Sequence, residues 1–175
     1  MSRILILFST TDGHTRCIAE RLLQQWQGLG HNVSLVHLPD ADPAQLTAFD
    51  KIVIGASIRY GHHQPAVAQF IAQNQGILES RPSAFFSVNI VARKPNKNTA
   101  DTNPYLRKFL RSIAWKPALV DVFAGKLDYP RYRFFDRLMI RFIMLITHGP
   151  TDQSAVVEFT DWSRVDAFGR NVHLA

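Results

Sequence analysis

Short apolar runs alternate along this chain with longer stretches whose apolar residues recur every three or four positions. Ile4 to Phe8 is the first run, and Ile18, Leu22, Leu23 and Trp26 then mark one face of a helix from about Thr15 to Leu29, ended by Gly28 and Gly30. Val33 to His37 predicts a short strand and Lys51 to Ala56 a buried one, with a helix over Val67 to Gln75 starting near Pro65. Ser83 to Val91 and Ala118 to Ala124 read as strands on either side of a helix that opens at Asn103-Pro104 and carries Leu106, Phe109, Leu110 and Ile113. Thr160-Asp161 caps a closing helix through Val165 and Phe168. Strands apolar on both faces, separated by helices, specify an α/β fold with a parallel sheet covered on both sides. No repeat, low-complexity tract or linker interrupts the 175 residues, so the expectation is a single domain, residues 1–175.

One segment, about 128–152, falls outside this rhythm. Within it, Pro130 to Thr147 predicts a helix ended by Gly149-Pro150. Phe134, Phe135, Leu138, Met139, Phe142, Leu145 and Ile146 cover one half of that helix, and Arg133, Arg137 and Arg141 form a stripe on the other, which Ile140 and Met144 interrupt. Two readings follow: a helix lying in a membrane interface with arginines at anionic headgroups, or an ordinary helix packed on the core.

Charge favours the first. The chain carries +6 at neutral pH and a pI near 9.8, which suits anionic partners: phosphates, carboxylated substrates, acidic lipids. Nucleic acid is not expected, because no recognition motif or stacking platform accompanies the charge. With 46% hydrophobic and 19% charged residues, the composition excludes a disordered chain. The one cysteine, Cys17, forms no internal disulfide, so a reducing, cytoplasmic compartment is expected. The apolar N-terminal run is too short for a secretory signal, and no run is long enough for a membrane span. No cysteine or carboxylate stands at metal-ligand spacing, so no metal is expected.

Candidate chemistry gathers at strand ends. In a parallel α/β sheet, ligands sit beyond the carboxyl ends of the strands. Ser9 to Thr15 fills that place after the first strand. Its small residues let backbone amides converge, and the next helix aims its positive N-terminus there, which together make a phosphate cradle. A plain turn with Asp12 as helix cap reads the same locally. "GASIRYGH" (Gly55 to His62) and "SVNIVARK" (Ser87 to Lys94) follow the third and fourth strands, so three loops surround one pocket. Tyr60 is placed to stack on a flat ring, and the Asn89 to Ala92 backbone to bond a pyrimidine edge.

"FSTTDGHT" resembles the phosphate loop of flavodoxins. Taken with "IGASIRYGHH", "FFSVNIVARKPNKNT", "YPRYRFFDRLMIRFIM" and "FTDW", the chain resembles, over nearly its full length, the menaquinone-dependent protoporphyrinogen IX dehydrogenases, a flavodoxin-like family of haem biosynthesis. The resemblance implies a flavodoxin-like doubly wound sheet of five parallel strands, order 2-1-3-4-5, with the basic amphipathic helix inserted before the last helix. It implies non-covalent FMN, oxidation of protoporphyrinogen IX to protoporphyrin IX, and six electrons passed to menaquinone or ubiquinone, at an anionic membrane surface on the cytoplasmic face. The phosphate would lie on Thr10, Thr11, Asp12, Gly13, His14 and Thr15, with Asp12 turned away to cap backbone amides because a carboxylate repels a phosphate. The flavin ring would lie between Ser57, Ile58, Arg59, Tyr60 and Gly61 on one side and Ser87, Val88, Asn89, Ile90, Val91, Ala92 and Arg93 on the other. His62 and Arg59 are the candidates for a catalytic role. Arg93, Lys94, Arg131, Arg133, Arg137 and Arg141 are the candidates for substrate or membrane contact, while Arg107, Lys108 and Arg111 read as a solvated helix face. The rival function is an electron carrier of flavodoxin type with no organic substrate of its own.

Overall fold

The computed structural model describes residues 1–174. Its elements in chain order are β1 (Arg3–Ser9), α1 (His14–Gly28), β2 (Asn32–His37), β3 (Lys51–Arg59), β4 (His62–His63), α2 (Pro65–Gln73), α3 (Gln75–Glu79), β5 (Ser83–Asn89), α4 (Pro104–Ser112), β6 (Leu119–Ala124), β7 (Lys126–Asp128), α5 (Phe134–Ile146), β8 (Val156–Glu158) and α6 (Trp162–Leu174). Five parallel strands form the sheet in the order β2-β1-β3-β5-β6, which is the doubly wound order expected from the sequence once the two-residue β4 is set aside.

Alternation along each strand divides the core in two. Leu5, Leu7, Ile52, Ile54 and Phe85 face α2 and α4, whereas Ile4, Ile6, Val53, Phe86 and Phe123 face α1 and α6. On the second face Trp26 is fully buried, and its indole N–H donates to the Gly169 carbonyl at 2.9 Å, which ties α1 to α6. Gly55 is a packing requirement: the Phe86 ring lies over its Cα, where any side chain would overlap it.

The structure adds details that apolar periodicity does not carry. β5 ends at Asn89, and residues 90–93 form a 3-10 turn because the Asn89 Oδ1 accepts the Ala92 N–H at 3.0 Å. The helix after Pro65 breaks at Asn74, whose Nδ2 donates back to the Phe70 carbonyl. The inserted segment begins and ends in an antiparallel hairpin, β7 with β8, and its helix begins at Phe134, not Pro130.

Candidate functional site

A cavity of about 620 Å³ opens where β1, β3 and β5 end. Thr10, Asp12, His14 and Thr15 line one end, Ser57 to His62 one wall, and Val88 to Val91 the other. Met139, Ile140, Ile143 and Met144 of α5 close it from above, with Tyr132.

The first loop is built to receive an anion. Gly13 takes φ +88, a left-handed conformation that glycine adopts without steric cost, and its N–H is held by Thr10 Oγ1 at 2.9 Å. Thr11 N–H donates to Ser57 Oγ at 3.2 Å, joining this loop to the next. Gly13, not Asp12, is the N-cap of α1, so no side chain occupies the helix N-terminus. Thr15 is fully buried, and its hydroxyl has no protein partner. An orphaned hydroxyl at an uncapped helix start fits a phosphate. His14 Nε2 lies 2.6 Å from Thr160 Oγ1, which itself donates to the Ala124 carbonyl at 2.8 Å. The hydroxyl proton is therefore spent, and His14 is the donor to Thr160. Burial lowers the His14 pKa, which favours a neutral ring.

Asp12 departs from the expected cap. Its Oδ1 pairs with Arg59 Nη2 at 2.7 Å. Burial pushes the carboxyl pKa up and Arg59 pulls it back, so the charge that would repel a phosphate is met by a guanidinium. Arg59 also lies 5.4 Å from the Tyr132 ring centre and 5.8 Å from that of Tyr60.

Tyr60 and Gly61, at φ +52 and +82, make the tight turn that joins β3 to β4. The Tyr105 ring packs against Gly61, with carbon 3.3 Å from where a Cβ would stand. Tyr60 hydroxyl donates to Asp136 of α5, linking this wall to the roof. Behind the turn, His63 is buried; its Nε2 is 3.0 Å from Ser87 Oγ, and burial lowers its pKa to about 4.

The structure brings together most of the residues the sequence singles out. Thr10, Asp12, His14, Thr15, Ser57, Ile58, Arg59, Tyr60, Gly61, Val88, Asn89, Ile90 and Val91 all line the cavity, as does His62. Thr11 and Gly13 shape the loop through backbone. Ser87 and Ala92 are buried behind the wall, and Ala92 N–H is already bonded within its own turn. Arg93 is turned away: its guanidinium donates to the Ile90 carbonyl and to the carbonyl and hydroxyl of Thr147, at 2.8 to 3.2 Å, clamping the end of α5. Lys94, Arg131, Arg133, Arg137 and Arg141 lie outside the cavity lining. Arg137 bonds the carbonyls of Pro130 and Tyr132, so it leaves the stripe.

On α5 the expected faces are partly exchanged. Phe134, Phe135, Leu138, Phe142, Leu145 and Ile146 are exposed, Phe135 at 78%, while Met144 is 1% exposed. The two residues that interrupt the arginine stripe, Ile140 and Met144, face the site, together with Met139 and Ile143. Their spacing, shared with Ile143, is the signal that marks an inward face. Lys108, Lys126, Tyr105 and Tyr132 also line the cavity and are missed by sequence reasoning; Lys108 sits on a helix face that composition makes look solvated.

A family model described as a flavodoxin domain matches residues 5–154. A protoporphyrinogen IX dehydrogenase (quinone) of Escherichia coli K12 is 47% identical over 173 residues, covering 98% of this chain and 96% of the relative. One of Leishmania major is 47% identical over 167 residues, covering 95% and 72%. Among solved structures, a flavodoxin from the Archaea superposes with a TM-score of 0.54 at 14% identity, over 97% of this chain and 95% of that one. The two-electron reduced flavodoxin of Megasphaera elsdenii gives 0.53 at 12% identity, over 68% and 84%.

Proposed function

We infer the function from one premise: this chain belongs to the flavodoxin domain family and, within it, to the protoporphyrinogen IX dehydrogenases of the quinone type. It is an FMN protein that oxidises protoporphyrinogen IX to protoporphyrin IX and gives the electrons to a quinone. The observation that carries this reading is the 47% identity to the Escherichia coli relative, whose match covers 98% of this chain, the roof and the strand ends included. A shuttle that only docks on other proteins has no need of a roofed chamber beside its cofactor. Three two-electron rounds remove six hydrogens from one porphyrinogen and reduce three quinones to quinols.

The residues divide the work. Thr10, Thr15 and the open start of α1 hold the phosphate, and Arg59 cancels the charge of Asp12 beside it. The Ser57 to Gly61 and Val88 to Val91 walls hold the ring. When bound, FMN supplies reversible two-electron redox chemistry. Ile140, Ile143 and Met144 would keep water from the space in which the tetrapyrrole is oxidised. In an anaerobic assay, the FMN-loaded protein is expected to raise porphyrin fluorescence only when a menaquinone analogue is added. A flavin-bound protein without turnover would return the reading to an electron carrier.

Membrane docking supports delivery of a lipid-dissolved quinone. Among the described residues no helix is long and apolar enough to cross a membrane, and the 13 residues of α5 span about 20 Å. Its outer face is apolar, while Arg131, Arg133 and Arg141 pair with no carboxylate among the described residues. That combination suits the interface of a bilayer with anionic lipids, menaquinone or ubiquinone being the acceptor dissolved in it. Flotation with anionic vesicles is expected for the wild type and lost in Phe135→Asp/Phe142→Asp, whose side chains touch no core. Equal flotation of both proteins would refute docking by this face.

A further inference from the structure

The mouth of the cavity holds a cation with nothing to neutralise it. Lys108 of α4 lines the cavity beside Tyr105 and His62. Its Nζ lies 3.4 Å from His62 Nε2, and His62 Nδ1 lies 3.0 Å from the Tyr60 carbonyl oxygen. A carbonyl only accepts, so Nδ1 carries the ring proton and Nε2 turns its lone pair to the ammonium. His62 therefore takes one of the three N–H donors of Lys108 and holds the exposed group at the cavity rim, leaving two donors free. Among the described residues Lys108 makes no ion pair. Among the described residues the one acid lining the cavity is Asp12, in the loop after β1 and already paired with Arg59. An unneutralised ammonium at the rim of an apolar chamber concentrates its field on whatever anion enters.

This cation does not belong to the phosphate loop. It comes from α4, set by the Asn103 cap, whose Oδ1 accepts the Leu106 N–H, and Asn103 Nδ2 donates to Asn89 of the opposite wall. The cradle and Lys108 are thus built from different elements. Resting on the function proposed above, the substrate is a largely apolar tetrapyrrole macrocycle with two propionate arms, so its carboxylates must reach the rim when the ring lies inside. We propose that Lys108, positioned by His62, binds a propionate carboxylate of the tetrapyrrole and sets which edge of the macrocycle enters the cavity.

The test compares Lys108→Met, Lys108→Arg and wild type on protoporphyrinogen IX and on its dimethyl ester, with FMN affinity measured separately. Loss of one charge-assisted hydrogen bond is expected to raise KM for the diacid about 10- to 100-fold in Lys108→Met, and Lys108→Arg is expected to recover most of it. The diester, which carries no charge to bind, is expected to show the same KM with wild type and Lys108→Met. An unchanged KM for the diacid would overturn the proposal, as would an equal rise for the diester. A parallel loss of FMN affinity would overturn it too, by assigning Lys108 to the cofactor. If wild type binds FMN but turns over no porphyrinogen, the functional reading fails, and the subsite is judged by binding alone. Quenching of tryptophan fluorescence by protoporphyrin IX then has to be tighter than by its diester in wild type and equal in Lys108→Met; equal binding in wild type refutes it.

Discussion

Acid is expected to unlock the wall of the site through His63. Its ring is 8% exposed, lies 4.4 Å from Phe109 and 5.5 Å from Phe85 between centres, and bonds Ser87 Oγ at 3.0 Å. Burial, and then the neighbouring His62, lower its pKa from 6.5 to about 4. The folded state thus rejects a proton that the unfolded chain binds, so the contribution is fully present above 6.5 and is lost as pH falls from there toward 4. At about 1.4 kcal/mol per unit, the whole window is worth about 3 kcal/mol, of which about 2 kcal/mol falls between about pH 7 and about pH 5. Total stabilities are about 5–15 kcal/mol, so this is a large share. His63→Gln keeps a polar partner for Ser87 and cannot titrate. Urea unfolding across this range is expected to show wild type losing about 2 kcal/mol more than His63→Gln. Parallel pH profiles for the two proteins would refute the assignment. His63 pairs with Ile58 across the turn that presents Tyr60 and Gly61, so FMN release is expected to follow the same pH dependence.

Three further outcomes are expected. Thr15→Val removes a hydroxyl that no protein group satisfies, so the apoprotein is expected to keep its melting temperature while FMN affinity, read by flavin fluorescence, falls about 10-fold. Arg59→Met leaves Asp12 unpaired beside the phosphate, and FMN affinity is expected to fall by at least about 10-fold; adding Asp12→Asn removes the repulsion and is expected to restore most of it, as a double-mutant cycle by titration will read. Gly55→Ala drives a methyl into the Phe86 ring, an overpacking of about 1–3 kcal/mol or more, to be measured by thermal or urea unfolding.

The three central strands, β1, β3 and β5, were legible because each is apolar on both faces, and a strand buried twice has no other reading once helices separate it from its neighbours. The loop after β1 was legible for a different reason: small residues between a buried strand and a helix let the chain turn tightly and leave the helix start uncapped by any side chain. Asp12 was misassigned as a cap because its true partner, Arg59, is 47 residues away and meets it only when two strand ends lie side by side. Arg93 failed likewise, since its partner Thr147 belongs to the insertion. Lys108 shares its helix with Arg107 and Arg111, and nothing in their spacing tells which of the three meets His62. The hairpin β7–β8 was hidden by its brevity: three residues a side carry no period.

That hairpin has a consequence of its own. Lys126 stands opposite Glu158, and Phe159 N–H donates to the Gly125 carbonyl at 3.1 Å, so the chain leaves the sheet and returns to it at a pinch. Everything between is an excursion whose two ends are fixed to each other by the hairpin. The strand-end loops and the roof over them therefore lie on different stretches of the chain, and a change confined to 129–155 alters what covers the site while the loops keep their own sequence.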